Sequence, residues 1–147
     1  MHTPDTRDMQ QRLRAADILP ALQRMAVASV LLGEPVHMTA DQVLRAAREL
    51  LPDISRATVY SVLQLFVRQG LLKELPIDGA ATVYDSNVAP HHHQYNVDTG
   101  EVSDLPDLAV QVAGLPVLGQ EMMLDEVDVI VRVRRRPSAP GDRARPA

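Results

Sequence analysis

Apolar residues recur at helical spacing through the first third of the chain. Between residues 6 and 32 they return every three or four positions and are interrupted at Pro20, a pattern that predicts two helices joined near that residue. A third helix is predicted to begin at Thr39, because Thr39 and Gln42 have the spacing of a capping box, and to end before Pro52. The first third of the chain is therefore expected to be helical.

A fourth helix is predicted over residues 56–68. Ser55 suits its N-cap and Gly70 its C-terminal end, because a serine hydroxyl accepts from free helical N–H groups and glycine tolerates the left-handed conformation that ends many helices. Apolar residues of this segment recur on one face. The opposite, outward face carries Arg56, Thr58, Tyr60 and Ser61.

Two short strand-like runs follow the fourth helix. Residues 71–75 and 82–85 are separated by a turn that contains Asp78-Gly79, which predicts a β-hairpin. Helices followed by a hairpin in this order form the layout of a winged helix-turn-helix, in which the last helix enters the major groove of DNA. An ordinary helical domain with a hairpin is the alternative.

The second half of the chain favours strands. Further strands are predicted at 94–97, 101–105, 108–112 and 127–133, and one helical turn is expected within 115–124. We expect an α+β protein with a winged-helix domain over 1–86, a second domain over 91–136 and a disordered proline-rich tail over 137–147.

Composition excludes several classes of protein. The sequence has no cysteine, so it can form no disulfide, no thiolate zinc site and no cysteine nucleophile. Aromatic residues make up 3%, too few for a platform on which single-stranded bases stack. No segment approaches the roughly 18 apolar residues of a membrane span, and residues 1–14 are too polar for a signal peptide, so we expect a cytoplasmic protein without a membrane partner.

The net charge of -4 argues against a DNA binder that relies on overall positive charge. Residues 1–85 are nearly neutral, with nine basic and ten acidic residues, whereas 86–147 hold six basic and nine acidic ones. A near-neutral DNA-binding domain needs two copies for useful affinity, which fits a homodimer.

Three consecutive histidines follow the junction at residues 87–90. On an extended segment His91 and His93 share one face and His92 points away. Two imidazoles on one face, flanked along the chain by Asp85 and Asp104, suit a first-row divalent metal. We therefore expect metal or haem ligation here; a solvated loop that is rich in histidine by chance is the alternative.

Several of these motifs together resemble the ferric uptake regulator (Fur) family. They are Pro20-Ala21-Leu22-Gln23-Arg24, His37-Met38-Thr39-Ala40, Ala57-Thr58-Val59-Tyr60, the Asp78-Gly79 turn, and His91-His92-His93 followed by Gly100. The absence of cysteine, the histidine run and the ending Asp128-Val129-Ile130-Val131-Arg132-Val133-Arg134-Arg135 are most similar to the iron response regulator (Irr) branch. The resemblance implies an N-terminal winged helix, a C-terminal α/β dimerisation domain, and binding to pseudo-palindromic operators governed by metal or haem.

By position, the resemblance implies a regulatory metal site made of His37, Asp85, His91, His93 and Asp104. Three imidazoles and two carboxylates suit Fe(II), Mn(II) or Zn(II), one ion per subunit. Because these residues come from both expected domains, an ion bound there would fix the hinge between them.

The family's other metal sites are incomplete in this chain. His92 stands at the carboxylate position of the second site, and the later acid and histidine positions fall near Gln111 and Val127. Asn96 and Thr99 replace the first cysteine pair of the structural zinc site, so no cysteine-bound zinc is expected. The resemblance to the Irr branch also implies haem as a second ligand, with His91, His92 and His93 as candidate axial ligands.

For DNA, Thr58, Tyr60 and Ser61 match recognition-helix positions of the family, although Ser61 replaces a common arginine. Arg56 lies one turn earlier, where it could contact a guanine or a phosphate. The expected DNA-contacting residues are thus Arg56, Thr58, Tyr60, Ser61, Arg24 and Arg14.

These expectations describe a repressor-like, homodimeric transcription regulator of iron homeostasis that binds double-stranded DNA and is not an enzyme. The alternative from another class is a small metalloenzyme in which His91, His93 and one aspartate form a facial triad. A metal-storage or metallochaperone role is a third and weaker interpretation.

Overall fold

The computed structural model describes residues 5–34, 36–106 and 109–138. The chain separates into two compact units, one that ends at Ala89 and one that begins at Pro90. Among the described residues, no helix is long and apolar enough to cross a membrane.

The first unit contains four helices: α1 (Thr6–Ala15), α2 (Leu22–Leu31), α3 (Ala40–Leu50) and α4 (Arg56–Arg68). The predicted capping box is confirmed at α3, where the Gln42 N–H donates to Thr39 Oγ1 at 3.3 Å and the Thr39 N–H donates to Gln42 Oε1 at 2.8 Å. Ser55 Oγ accepts from the Thr58 N–H at 3.1 Å and so caps α4. Gly70 follows that helix with φ of +76°, the left-handed conformation for which glycine is suited.

The apolar faces of the four helices meet in one core. Each helix contributes side chains that are at most 1% exposed, among them Leu13 of α1, Leu31 of α2, Val43 of α3 and Phe66 of α4. Phe66 is the only phenylalanine of the chain and one of the largest fully buried side chains. This core fixes the orientation of α4 and leaves its Tyr60 side exposed.

A three-stranded antiparallel sheet completes the first unit. It contains β1 (His37–Thr39), β2 (Lys73–Leu75) and β3 (Val83–Asp85), in the order β1-β3-β2. The hairpin of β2 and β3 was predicted, whereas β1 was not. In the register of β1 and β3, His37 stands directly opposite Asp85.

The second unit contains a separate three-stranded sheet of β4 (His93–Asn96), β5 (Val102–Asp104) and β6 (Ile130–Val133). The strand order is β5-β4-β6, with β4 antiparallel to β5 and parallel to β6. Here His93 stands directly opposite Asp104. The turn between β4 and β5 is held by Asn96 Oδ1, which accepts from the Asp98 and Thr99 N–H groups at 3.0 and 3.2 Å.

Two local predictions for the second unit are wrong. Residues 109–112 form no strand, and residue 108 lies outside the described residues. The expected helical turn within 115–124 is also absent; the segment has only a turn at Gln120 and Glu121. Every residue of 111–125 is exposed, so these apolar side chains pack against nothing in the described chain that would stabilise a strand or a helix.

Candidate metal centre and DNA-binding helix

In the first unit, the sheet places His37 against Asp85. His37 Nε2 lies 3.1 Å from Asp85 Oδ2, and the Asp85 side chain is only 1% exposed. Its other oxygen, Oδ1, accepts from the Asn87 N–H at 2.8 Å. The backbone thus orients the carboxylate while one oxygen faces the imidazole.

Val36, which precedes His37, and Ser86, which follows Asp85, extend this strand pairing by one position. Ser86 Oγ accepts from the Val36 N–H at 2.9 Å, and the Ser86 N–H donates to the Val36 carbonyl at 3.3 Å. These bonds hold the backbone that carries His37 beside the backbone that carries Asp85.

In the second unit, three predicted ligands converge. His91 Nε2 lies 2.9 Å and His93 Nε2 3.5 Å from the same oxygen, Asp104 Oδ1. The two imidazole rings are 4.3 Å apart between centroids and tilted by 57°. One ligand atom from each of the three residues lies within 4.8 Å of the other two.

This donor set consists of imidazole nitrogens and carboxylate oxygens. Such ligands bind divalent first-row metals, and they do so with the imidazoles neutral and the carboxylates ionised. The pattern of one histidine opposite one aspartate recurs in both sheets. Chemically, each unit can contribute nitrogen and oxygen ligands to a divalent cation.

The structure places His92 apart from this group. Its Nδ1 accepts from the Val129 N–H at 3.2 Å, and the residue lines a cavity of about 280 Å³ with Leu105 and Val127. The three consecutive histidines therefore have two different environments.

The outward face of α4 carries the predicted DNA-contacting residues. Tyr60 is 44% exposed, and Thr58 and Ser61 line a cavity of about 370 Å³ together with Arg24 of α2. Arg24 also donates to the Leu19 carbonyl at 3.0 Å. Arg14 is exposed at the end of α1.

Arg56 has a partner that sequence reasoning missed. Its guanidinium is hydrogen-bonded to the Asp41 carboxylate of α3 at the surface. This hydrogen bond and the charge of Asp41 raise the pKa of Arg56 above its ordinary value. No signal in the sequence links the first turn of α3 to the first turn of α4, because the contact depends on how the two helices pack.

Comparison with known proteins places the chain in a family. The model of the ferric uptake regulator family matches residues 18–129. The chain is also 32% identical over 126 residues to the transcriptional regulator FurA of Mycobacterium bovis, an alignment that covers 84% of each protein. The chain belongs to the ferric uptake regulator family.

Other members of the Fur family agree with this result. The chain is 28% identical over 125 residues to the peroxide operon regulator of Bacillus subtilis, and the alignment covers 80% of this chain and 86% of that protein. The solved structure of the ferric uptake regulator of Pseudomonas aeruginosa with manganese is 26% identical, with a TM-score of 0.63 over 88% of this chain and 98% of that one. The predicted α+β fold is confirmed.

As a Fur-family protein, the chain is a metal-responsive, DNA-binding transcriptional regulator and not an enzyme. The alternative of a small metalloenzyme is therefore wrong, although its proposed ligands do lie together around Asp104.

Proposed function

We propose that this Fur-family regulator binds one divalent cation per subunit through His37, Asp85, His91, His93 and Asp104, and that the ion controls DNA binding by a homodimer. The observation that carries the proposal is the repeated pairing in the two sheets. In each unit a histidine Nε2 approaches a carboxylate oxygen of the aspartate directly across the strand pair. Each unit contributes one such pair to the proposed ligand set.

The family name favours iron as the native ion, whereas the ligand set does not choose among the three metals. Three nitrogen and two oxygen donors suit Fe(II) and equally Mn(II) or Zn(II), so availability in the cell selects among them. The related Pseudomonas aeruginosa regulator was solved with manganese. We infer that genes of iron homeostasis are the regulated set and that Mn(II), which resists oxidation by air, is a suitable probe.

The homodimer is supported by the second unit. Among its described residues no apolar side chain is fully buried, and His93 is the one buried residue. Val117 and Met123 are 101% and 85% exposed. Apolar surface of this extent marks a protein interface, so we propose that a second copy of this unit covers it.

Two finer hypotheses stay predictions. Membership of the iron response regulator branch and haem ligation by the histidine run both depend on the sequence resemblance. Neither FurA nor the peroxide operon regulator, to which the chain is similar, is named as a member of that branch. If haem binds this segment, it competes with the metal ion for His91 or His93, because both would use the same imidazoles.

The metal site is tested by Asp104→Asn, with Asp53→Asn as a matched control at an exposed aspartate outside the cluster. Asp104 faces two imidazoles, so its loss should weaken Mn(II) binding by about 10-fold or more, whereas the control should bind one ion per subunit. Isothermal titration with Mn(II) measures both. Equal affinity and stoichiometry in the two variants would contradict the proposed ligand set.

A further inference from the structure

His92 is joined to both neighbouring strands at the entrance of β4. The Val129 N–H, one residue before β6, donates to His92 Nδ1 at 3.2 Å. The Leu105 N–H, one residue after β5, donates to the His92 carbonyl at 2.9 Å. The next residue continues this pairing, since the His93 N–H donates to the Val129 carbonyl at 3.0 Å.

The hydrogen bond to Val129 determines the tautomer of the ring. A backbone N–H can only donate, so Nδ1 of His92 must carry a lone pair and, in the neutral ring, the proton sits on Nε2. A histidine that ligates a metal has the opposite arrangement when Nε2 is the ligand: its Nδ1–H donates to a carbonyl or carboxylate. Neither nitrogen of His92 is therefore available to a metal or to haem iron while this bond persists.

The neighbours of His92 are the proposed ligands. His91 and His93 precede and follow it, and Leu105, which bonds to its carbonyl, follows Asp104. If the segment before β6 moves relative to His92, the movement therefore occurs beside His91, His93 and Asp104. The family resemblance implies that His92 occupies the position of a carboxylate in a second metal site. In this chain the residue at that position instead accepts a hydrogen bond from the Val129 N–H.

We propose that His92 is a positioning residue: its Nδ1 fastens the segment at Val129 to β4, holds His91, His93 and Asp104 in ligating positions, and takes no part in binding metal or haem. His91, one of the proposed ligands, lines the same cavity as His92, together with Leu105 and Val127. The inference rests on the proposed function, because the positions it preserves are those of the proposed metal ligands.

Three substitutions separate positioning from ligation. His92→Asn places an amide oxygen on Cγ, at the point of attachment that Nδ1 has in histidine, and can accept from Val129 in the same way. His92→Gln moves the amide one bond further out, and His92→Ala removes the acceptor. We expect His92→Asn to bind Mn(II) within about twofold of the wild type, and the other two variants to bind it about 10-fold more weakly.

The tautomer is observed directly by long-range ¹H–¹⁵N correlation of the histidine rings in the whole protein loaded with Zn(II). The expected result is a proton on Nε2 and none on Nδ1 of His92, before and after loading. A proton on Nδ1, or loss of the Nε2 proton when Zn(II) is added, would overturn the inference.

Haem titration tests separately whether His92 is an axial ligand. Titration with ferric haem should give the same Soret spectrum in the wild type and His92→Asn, because the axial ligand is another residue or haem does not bind. A Soret band that disappears in His92→Asn and persists in His91→Ala would make His92 the axial ligand and refute the inference.

If Asp104→Asn abolishes Mn(II) binding while all three His92 variants match the wild type, the positioning role is wrong and the metal site stands. If Asp104→Asn leaves Mn(II) binding intact, the proposed site itself is wrong, and the positioning role is wrong with it.

Discussion

At the residue scale, the proposed ligands occupy opposing positions on short antiparallel strands. His37 lies across from Asp85 and His93 across from Asp104, each within three- or four-residue elements. Side chains directly opposite in an antiparallel pair have their Cβ atoms about 4.5–5.5 Å apart, which suits a histidine and an aspartate that point at one ion. The histidine run was evident in the sequence, but the register that pairs it with Asp104 was not.

The prediction that α4 is the recognition helix can be tested at single residues. Arg56→Ala and Tyr60→Ala should each weaken binding to a target duplex, because a lost base contact costs about 1–3 kcal/mol, or about 10- to 100-fold in affinity. Arg68→Ala, at the exposed far end of the same helix, is the matched control and should bind as the wild type does. Fluorescence anisotropy with a labelled duplex measures all three.

The partner of Arg56 makes that experiment more specific. Because Asp41 accepts a hydrogen bond from Arg56, Asp41→Ala should release the guanidinium without removing it. We expect this variant to bind DNA at least as tightly as the wild type. Loss of DNA affinity in Asp41→Ala would contradict this expectation and show that Asp41 holds Arg56 in its binding position. Wild-type affinity in both Arg56→Ala and Tyr60→Ala would show that the N-terminal half of α4 is not the reading surface.

At the element scale, helices whose caps lie within a few residues of sequence were predictable, and strands that depend on distant partners were not. The boundaries of α3 and α4 follow from hydroxyl caps at Thr39 and Ser55, which act within three residues. β1 was missed because three residues cannot display an alternating pattern, and this strand exists only through its pairing with β3. The converse error occurred at residues 109–112, where alternation was present but no strand partner is found among the described residues.

The capping box of α3 yields an element-scale prediction. Thr39→Ala removes the oxygen that accepts from the Gln42 N–H and should lower the free energy of unfolding by about 1 kcal/mol. Thr39→Ser keeps the hydroxyl and should restore most of it. Thermal unfolding followed by circular dichroism tests both, and identical melting temperatures for Thr39→Ala and the wild type would contradict the role of the cap.

At the scale of the whole molecule, the second unit leaves apolar side chains exposed in a single copy. Its apolar residues in segment 111–125 remain exposed, in contrast to the buried core of the first unit. A second copy of the chain would bury this surface, and the family resemblance in the sequence already implied a dimer. Sequence patterns could not show how exposed these side chains are, because exposure depends on what packs around them.

Light scattering at micromolar concentration should therefore give the mass of a dimer. Placing charges in the exposed segment, with Val117→Asp and Met123→Asp together, should shift the protein towards monomer, since each buried charge without a partner is costly. Val88→Asp puts the same charge on an exposed valine of the first unit and should leave the dimer intact. A wild-type monomer, or a dimer unaffected by the double substitution, would contradict this interface.

On the proposed function, a cation at the histidine and aspartate cluster controls DNA binding. The affinity of the wild-type protein for duplexes from upstream of iron-uptake genes, measured by anisotropy in Mn(II) and in chelator, tests this control. We expect Mn(II) to change the dissociation constant by a factor of about 5–150, and we expect Asp104→Asn to abolish this difference while Asp53→Asn keeps it. Equal DNA affinity with Mn(II) and with chelator, or an undiminished response in Asp104→Asn, would contradict it.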